Sequence, residues 1–153
     1  LQVVLEETRD WTDAILDGLS RLSGSGDFGA VSELLVRETL NRPRLCELAS
    51  AMWTVLEQNV SVEVLANFKY EFRKTASQWT TSLIKALPSL SEDQAKQFSL
   101  FFLLFVASAW SACKHSPVLD QLLMREEFAD TKVDLDSTLS THTLALLKGL
   151  TIP

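Results

Sequence analysis

The chain is 153 residues long, enough for one domain that buries roughly two thirds of the surface its unfolded form exposes. With 46% hydrophobic and 22% charged residues and only 5 Gly and 4 Pro, the composition excludes a disordered tail and disfavours a turn-rich sheet protein. Its 20 acidic against 14 basic residues give a net charge of -6, the wrong sign for holding nucleic-acid phosphates, so DNA binding by this chain alone is not expected.

At the start, Leu1–Glu7 lacks the basic residues, apolar stretch and small-residue cleavage site of a signal peptide, and no initiator Met is present. The chain reads as beginning inside a helix, with an upstream segment removed. Val4, Trp11, Ile15, Leu19 and Leu22 recur at helical spacing among Glu6, Asp10, Asp13 and Asp17, an amphipathic first helix. Ser23-Gly24-Ser25-Gly26 is a short loop, and Asp27 offers an N-cap to a second helix carrying Val31, Leu34, Leu35 and Leu40. Asn41-Arg42 breaks the pattern. Pro43, which suits a first helical turn, opens a third helix to about Gln58 with Leu45, Leu48, Met52, Val55 and Leu56 as its apolar positions and Trp53 on a neighbouring face.

Asn59-Val60-Ser61 predicts a corner: Asn59 ending one helix in a left-handed conformation, Ser61 capping the next, and Val60 packing on Leu65. From Ser61 to about Leu87, Leu65, Phe68, Phe72, Ala76, Trp79, Leu83 and Ala86 repeat in steps of three and four, a continuous core-facing stripe. Pro88 stops that helix, and Ser91-Glu92-Asp93-Gln94 has the form of a capping box for a fifth helix to about Lys114. The fifth helix is apolar almost all round and so must be covered on more than one side. Its charge-free run Phe98–Cys113 falls short of the about 20 apolar residues of a membrane span and includes Ser99, Ser108 and Ser111, so a buried helix of a soluble protein is expected, with no membrane partner. His115-Ser116-Pro117 starts a short helix, and after Asp130-Thr131-Lys132 a last helix carries Leu135, Leu139, Leu146, Leu147 and Leu150. The fold class expected is all-α, an antiparallel bundle of about six to seven helices in a single domain.

Catalytic chemistry has no visible machinery. Neither His115 nor His142 has a Glu or Asp three residues before it, there is no HExxH, and the glycine-rich phosphate loops and the GxSxG elbow are missing. No enzyme activity, metal site or cofactor is expected. Cys46 and Cys113 lie far apart without CxxC spacing and read as buried free thiols of a reducing cytoplasm.

The unusual feature is aromatic placement: Trp53, Phe68, Phe72, Trp79, Phe101, Phe102, Phe105 and Trp110 fall on three helices. Such rings either fill a core or line a cavity, in which Thr54, Gln58, Gln78 and Ser108 would supply polar groups. The fifth helix shows two faces, Phe101, Leu104, Ser108 and Ser111 on one and Phe98, Phe102, Phe105 and Ala109 on the other. One face would meet the core and the other a second copy of the chain, in an isologous four-helix interface with the last helix; in a monomer, the last helix alone would cover it.

Arg42-Pro43-Arg44-Leu45-Cys46-Glu47-Leu48 and the stretch from Val55 to Glu63 resemble the corresponding segments of tetracycline-repressor (TetR) family C-terminal domains. Pro117-Val118-Leu119, Val133-Asp134-Leu135 and Leu146-Leu147-Lys148-Gly149-Leu150 are similar to the ending of that family in order and spacing. The resemblance covers nearly the whole chain. It implies a cytoplasmic, bacterial-type homodimeric transcription regulator, in which a small apolar or aromatic effector held by this domain controls DNA binding by an N-terminal helix-turn-helix domain absent from this chain. On that reading the candidate pocket residues are Trp53, Phe68, Phe72, Trp79, Phe102 and Phe105. The candidate dimer-interface residues are Phe101, Leu104, Ser108, Ser111, Leu135, Leu139, His142 and Leu146. The alternative is a pure dimerisation domain with a filled core and no ligand.

Overall fold

The computed structural model describes residues 1–114 and 116–152, with the backbone alone at Trp53 and Thr54. Seven α-helices and no strand are found among these residues: α1 (Gln2–Arg21), α2 (Phe28–Leu40), α3 (Pro43–Ala51), α4 (Val62–Ala86), α5 (Glu92–Cys113), α6 (Pro117–Leu123) and α7 (Leu135–Leu150). The helix starts are written locally. Asp27 accepts from the Ala30 N–H, Ser61 from Val64, Ser116 from Leu119 and Asp134 from Ser137, each satisfying a donor that the first helical turn leaves free. At α5 the box is reciprocal: the Gln94 N–H reaches the Ser91 hydroxyl at 3.2 Å while the Ser91 N–H reaches Gln94 Oε1 at 2.8 Å.

Helix α1 packs along α4, α4 along α5, and α5 also against α3 and α7, while α2 lies between α1 and α7. This accounts for the apolar circumference of α5: it meets neighbours on several sides. By length and composition alone α5 would suffice to cross a membrane, yet Phe98, Phe102, Val106 and Ala109 are spent on the interior of the bundle. The main core gathers Trp11, Ile15, Leu19, Val31, Leu35, Trp79, Leu83, Phe98, Phe102, Leu139 and Leu147. Phe98 and Phe102 are fully buried, each worth on the order of 2–3 kcal/mol of transfer free energy. A smaller cluster of Val4, Met52 and Phe68 forms separately, flanked by the half-buried Leu5, Leu48, Leu56 and Phe72.

Gly24 and Gly26 take φ of 73° and 63°, a conformation that needs no Cβ. Their N–H groups donate to the Lys85 and Ala86 carbonyls at 2.7 and 3.0 Å, so the α1–α2 turn satisfies the open end of α4.

Three expectations drawn from the sequence are corrected by the fold. The third helix does not run unbroken to Gln58: it leaves α geometry at Met52, passes through a π segment, Met52–Leu56, and closes as a 3-10 turn, Glu57–Asn59. Asn59 does not turn left-handed, since no described non-glycine residue has positive φ. Its side-chain amide donates back to the Val55 carbonyl at 2.5 Å, so a side chain does the capping and the chain exits through extended Val60. Cys46 is buried as expected, but Cys113 is only half-buried, its thiol within 3.6 Å of the Val133 carbonyl. His115 lies outside the described residues.

Candidate functional site: an apolar cavity and an uncovered face

One stripe from each of three helices frames a cavity of about 240 Å³. Helix α1 contributes Thr8, Trp11 and Thr12; α4 contributes Phe72, Thr75, Ala76, Trp79 and Thr80; α5 contributes Ser99, Leu100 and Leu103. These are the i, i+3, i+4 sets that a helix presents to one side. Arg73 and Lys96 complete the lining. A small void of about 30 Å³, bounded by Val4, Leu45 and Met52 among others, adjoins the cavity and shares Thr8, Trp11, Phe72 and Leu103 with its lining.

The rings at the floor are held firmly. Trp11 and Trp79 meet with centroids 5.4 Å apart and planes tilted by 54°, and Phe102 stacks on Trp11 at 6.3 Å and tilts against Trp79 at 5.9 Å. These separations lie within the range of favourable aromatic pairing. The indole N–H groups of Trp11 and Trp79 are sealed from solvent and have no acceptor within the protein, a cost that the packed floor carries. By contrast the hydroxyls of Thr75, Thr80 and Ser99 already donate to the carbonyls of Glu71, Ala76 and Ala95 on their own helices, which leaves them only lone pairs to offer.

The sequence-derived pocket residues separate in space. Phe72 and Trp79 line the cavity. Phe68 sits behind it in the smaller cluster, stacked on Phe72 at 5.9 Å, and Phe102 backs the floor from the main core. Phe105 is on the opposite side of α5, stacked on His142. The side chain of Trp53 lies outside the described part of the structure, as does that of Thr54. Gln58, Gln78 and Ser108 line no part of the cavity. Sequence reasoning missed the whole α1 wall and the two cations. Thr8 and Thr12 flanking Trp11 at one helical turn was the available signal.

The second feature is the outer face of α5. Phe101 and Leu104 remain 38% and 43% exposed, and with Phe105, Ser108, His142 and Leu146 they line a shallow apolar hollow between α5 and α7. Ser111 is also on the outside, its hydroxyl donating to the Ala107 carbonyl. Leu135 is half-buried at the edge, and Leu139 is fully buried in the main core beneath the face rather than on it. His142 lies flat on the Phe105 ring, centroids 3.4 Å apart. Burial pushes its imidazole below the ordinary histidine range, and its Nε2 has no partner within the protein.

Elsewhere the chemistry is quiet. Desolvation raises the Cys46 thiol to about 11, opposed in part by a backbone hydrogen bond, so it is inert at neutral pH. No group of three or more potential metal ligands occurs among the described residues. In comparisons with known proteins, the profile of a family described as a tetracyclin repressor-like C-terminal domain matches residues 5–153. No curated protein matches the chain.

Proposed function

The chain belongs to the tetracyclin repressor-like C-terminal domain family, and from that premise we propose that it pairs with a second copy of itself and holds a small apolar effector in the α1–α4–α5 cavity. It is the regulatory domain of a TetR-like regulator, a kind of domain that is typically not an enzyme. The effector reading rests on one observation: a cavity between three helices, walled largely by aromatic and aliphatic side chains. Apolar pockets with a few placed polar groups between bundle helices are a common form of small-molecule site. The pairing reading rests on the uncovered apolar face of α5 and α7, lined by Phe101, Leu104, Phe105, Ser108, His142 and Leu146. Ser111 and Leu135 extend that face at its edges, and Leu139 supports it from within.

The mechanism is linkage. In the family's organisation a separate N-terminal helix-turn-helix domain reads DNA, and a dimer presents two such heads at a set spacing. Because α1 forms one wall of the cavity and α5 carries both the opposite wall and the pairing face, a ligand that wedges these helices apart favours one head spacing over another. It shifts the population only by its difference in affinity for the two states. The domain acts in this scheme as a soluble cytoplasmic module with no cofactor, and touches DNA only through the N-terminal domain.

Two measurements on this chain test the proposal. Sedimentation equilibrium across a concentration series should give twice the chain mass, and a strict monomer would remove the pairing. Tryptophan fluorescence should report apolar ligands, since Trp11 and Trp79 form the floor. Ala76→Trp, which fills the cavity from the α4 wall, should abolish that response while leaving the dimer mass unchanged. An Ala76→Trp variant that binds as before would show that the cavity is not the site and would leave the pure dimerisation reading standing.

A further inference from the structure

The cavity is polar in only one sense. Its cations are Arg73 and Lys96, and no carboxylate lines it. Its mouth continues into a wider groove that shares Arg73 and Lys96, adds Lys85, and contains one acid, Glu92. Glu92 is already engaged by Lys96 one turn along α5, whereas Arg73 meets no carboxylate among the described residues. At the floor lie the rings of Trp11 and Trp79, each 3% exposed. The charge left unpaired around this space is therefore cationic, with Arg73 lining the cavity itself.

The complementary ligand brings acceptors, a negative charge and an apolar body. Size narrows it further: an apolar cavity of about 150 Å³ suffices for benzene, so about 240 Å³ admits one ring with a short tail. An amine would meet like charge at the rim. A phosphate monoester would bring more charged oxygens than so apolar a space can pair. We propose that the cavity selects small hydrophobic carboxylates, with the ring or chain against Phe72 and the tryptophans and the carboxylate at the mouth on Arg73. The guanidinium fork suits a carboxylate bidentately, as a lysine does not. This inference rests on the effector reading of the cavity and adds to it the charge class of the ligand and the residue that reads it.

The test is calorimetric titration of the chain with four probes of similar size at fixed ionic strength: phenylacetate, phenylacetamide, phenethylamine and toluene. Phenylacetate should bind about 10-fold or more tighter than phenylacetamide, the factor expected of a hydrogen bond to a charged group, and phenethylamine should bind weakest. Arg73→Gln should lower phenylacetate to the level of phenylacetamide and leave phenylacetamide and the thermal melt unchanged. Amide or amine binding as tightly as the acid overturns the charge class while the cavity stands. Equal losses for acid and amide in Arg73→Gln overturn the role of Arg73. If toluene and the other three all fail to bind, the effector reading itself falls, and this inference with it.

Discussion

Two clusters of buried side chains to which α1 and α4 both contribute are packed differently. Along one part of the α1–α4 contact, Trp11 and Trp79 pack on each other and on Phe102 of α5, and Phe98 packs on Trp79 and Phe102, with the centroids of each pair no more than 6.3 Å apart, and Ile15, Leu19 and Leu83 are sealed beside them. The Gly24–Gly26 turn ties that end down through the Lys85 and Ala86 carbonyls. Along the other part, only Val4, Met52 and Phe68 are buried, their apolar neighbours are half-exposed, and the backbone departs from α geometry between Met52 and Asn59. Burial is thus denser in the first cluster than in the second, and sites that must yield to a ligand belong where few apolar contacts are buried. The cavity lies where the two regimes meet, with Trp11 and Trp79 from the first cluster and Phe72 from the flank of the second.

The largest effect should come from deleting the same ring in each cluster. Phe102→Ala should cost about 3–5 kcal/mol, because the rings packed around it are held by neighbouring helices and the hole cannot collapse. Phe68→Ala should cost about 3 kcal/mol or less, since the half-exposed Leu65 and Leu56 can move in. Urea denaturation followed by circular dichroism checks both. Equal losses would mean that the outer cluster is as rigidly packed as the inner one.

Much of this contrast is legible in the amino-acid pattern alone. The stripe Leu65, Phe68, Phe72, Ala76, Trp79, Leu83 and Ala86 specifies α4 and its buried side, and the polar residues at Asp27, Ser61 and Ser91 specify the starts of three helices, because both signals are local. The break after Ala51 is hidden, since inserting one π turn leaves Met52, Val55 and Leu56 at spacings that still read as helical. Asn59 carries two capping routes, left-handed backbone or side-chain amide, and only the path of the following chain selects between them. The cavity is half legible: Phe72 and Trp79 follow from the stripe, but which ring borders a void and which is sealed, as Phe102 is, depends on how three helices meet. Arg73 and Lys96 sit beside apolar stripes and read as solvated charge. Periodicity cannot distinguish a rim from a surface.

The two faces of α5 give a second version of the contrast, and the next largest effect. Leu104→Asp places a charge on the outer hollow. If a second chain covers that face, the dimer dissociation constant should rise by about 30-fold or more, as at an interface hot spot. The stability of the isolated chain should change by less than about 0.5 kcal/mol, as at an ordinary surface position. A loss of monomer stability with no change in association would show that α7 covers this face alone. A smaller effect separates the helices themselves. Asp27→Ala removes the cap of α2, which packs between α1 and α7, and should cost about 1 kcal/mol of global stability. Ser116→Ala removes the equivalent cap of α6, a helix with no buried residue, and should fray it without moving the global transition.

The subtlest expected effect is a dependence on pH, and it bears on whether the outer face of α5 acts as part of the fold. His142 rests against Phe105 in a hollow whose other lining residues, Phe101, Leu104, Ser108 and Leu146, carry no charge. Burial therefore lowers its pKa below the ordinary histidine value of 6.5, with no carboxylate lining the hollow to oppose the shift. The sign follows from proton counts: below pH 6.5 the unfolded chain takes up a proton that the folded chain still resists, so unfolding is favoured. The contribution of His142 to stability should be complete above pH 6.5 and should fall as pH drops from there through the lower folded-state value. Carboxylates also begin to titrate at the acid end, so the quantity to measure is the difference in unfolding free energy between the chain and His142→Gln across about pH 5–7.5. That difference should shrink on acidification. A second copy covering the face would desolvate His142 further, so the difference should steepen with protein concentration when pairing and folding are linked. A difference that is flat with pH would mean that the imidazole is solvated, and that the hollow between α5 and α7 is open to water rather than waiting for a partner.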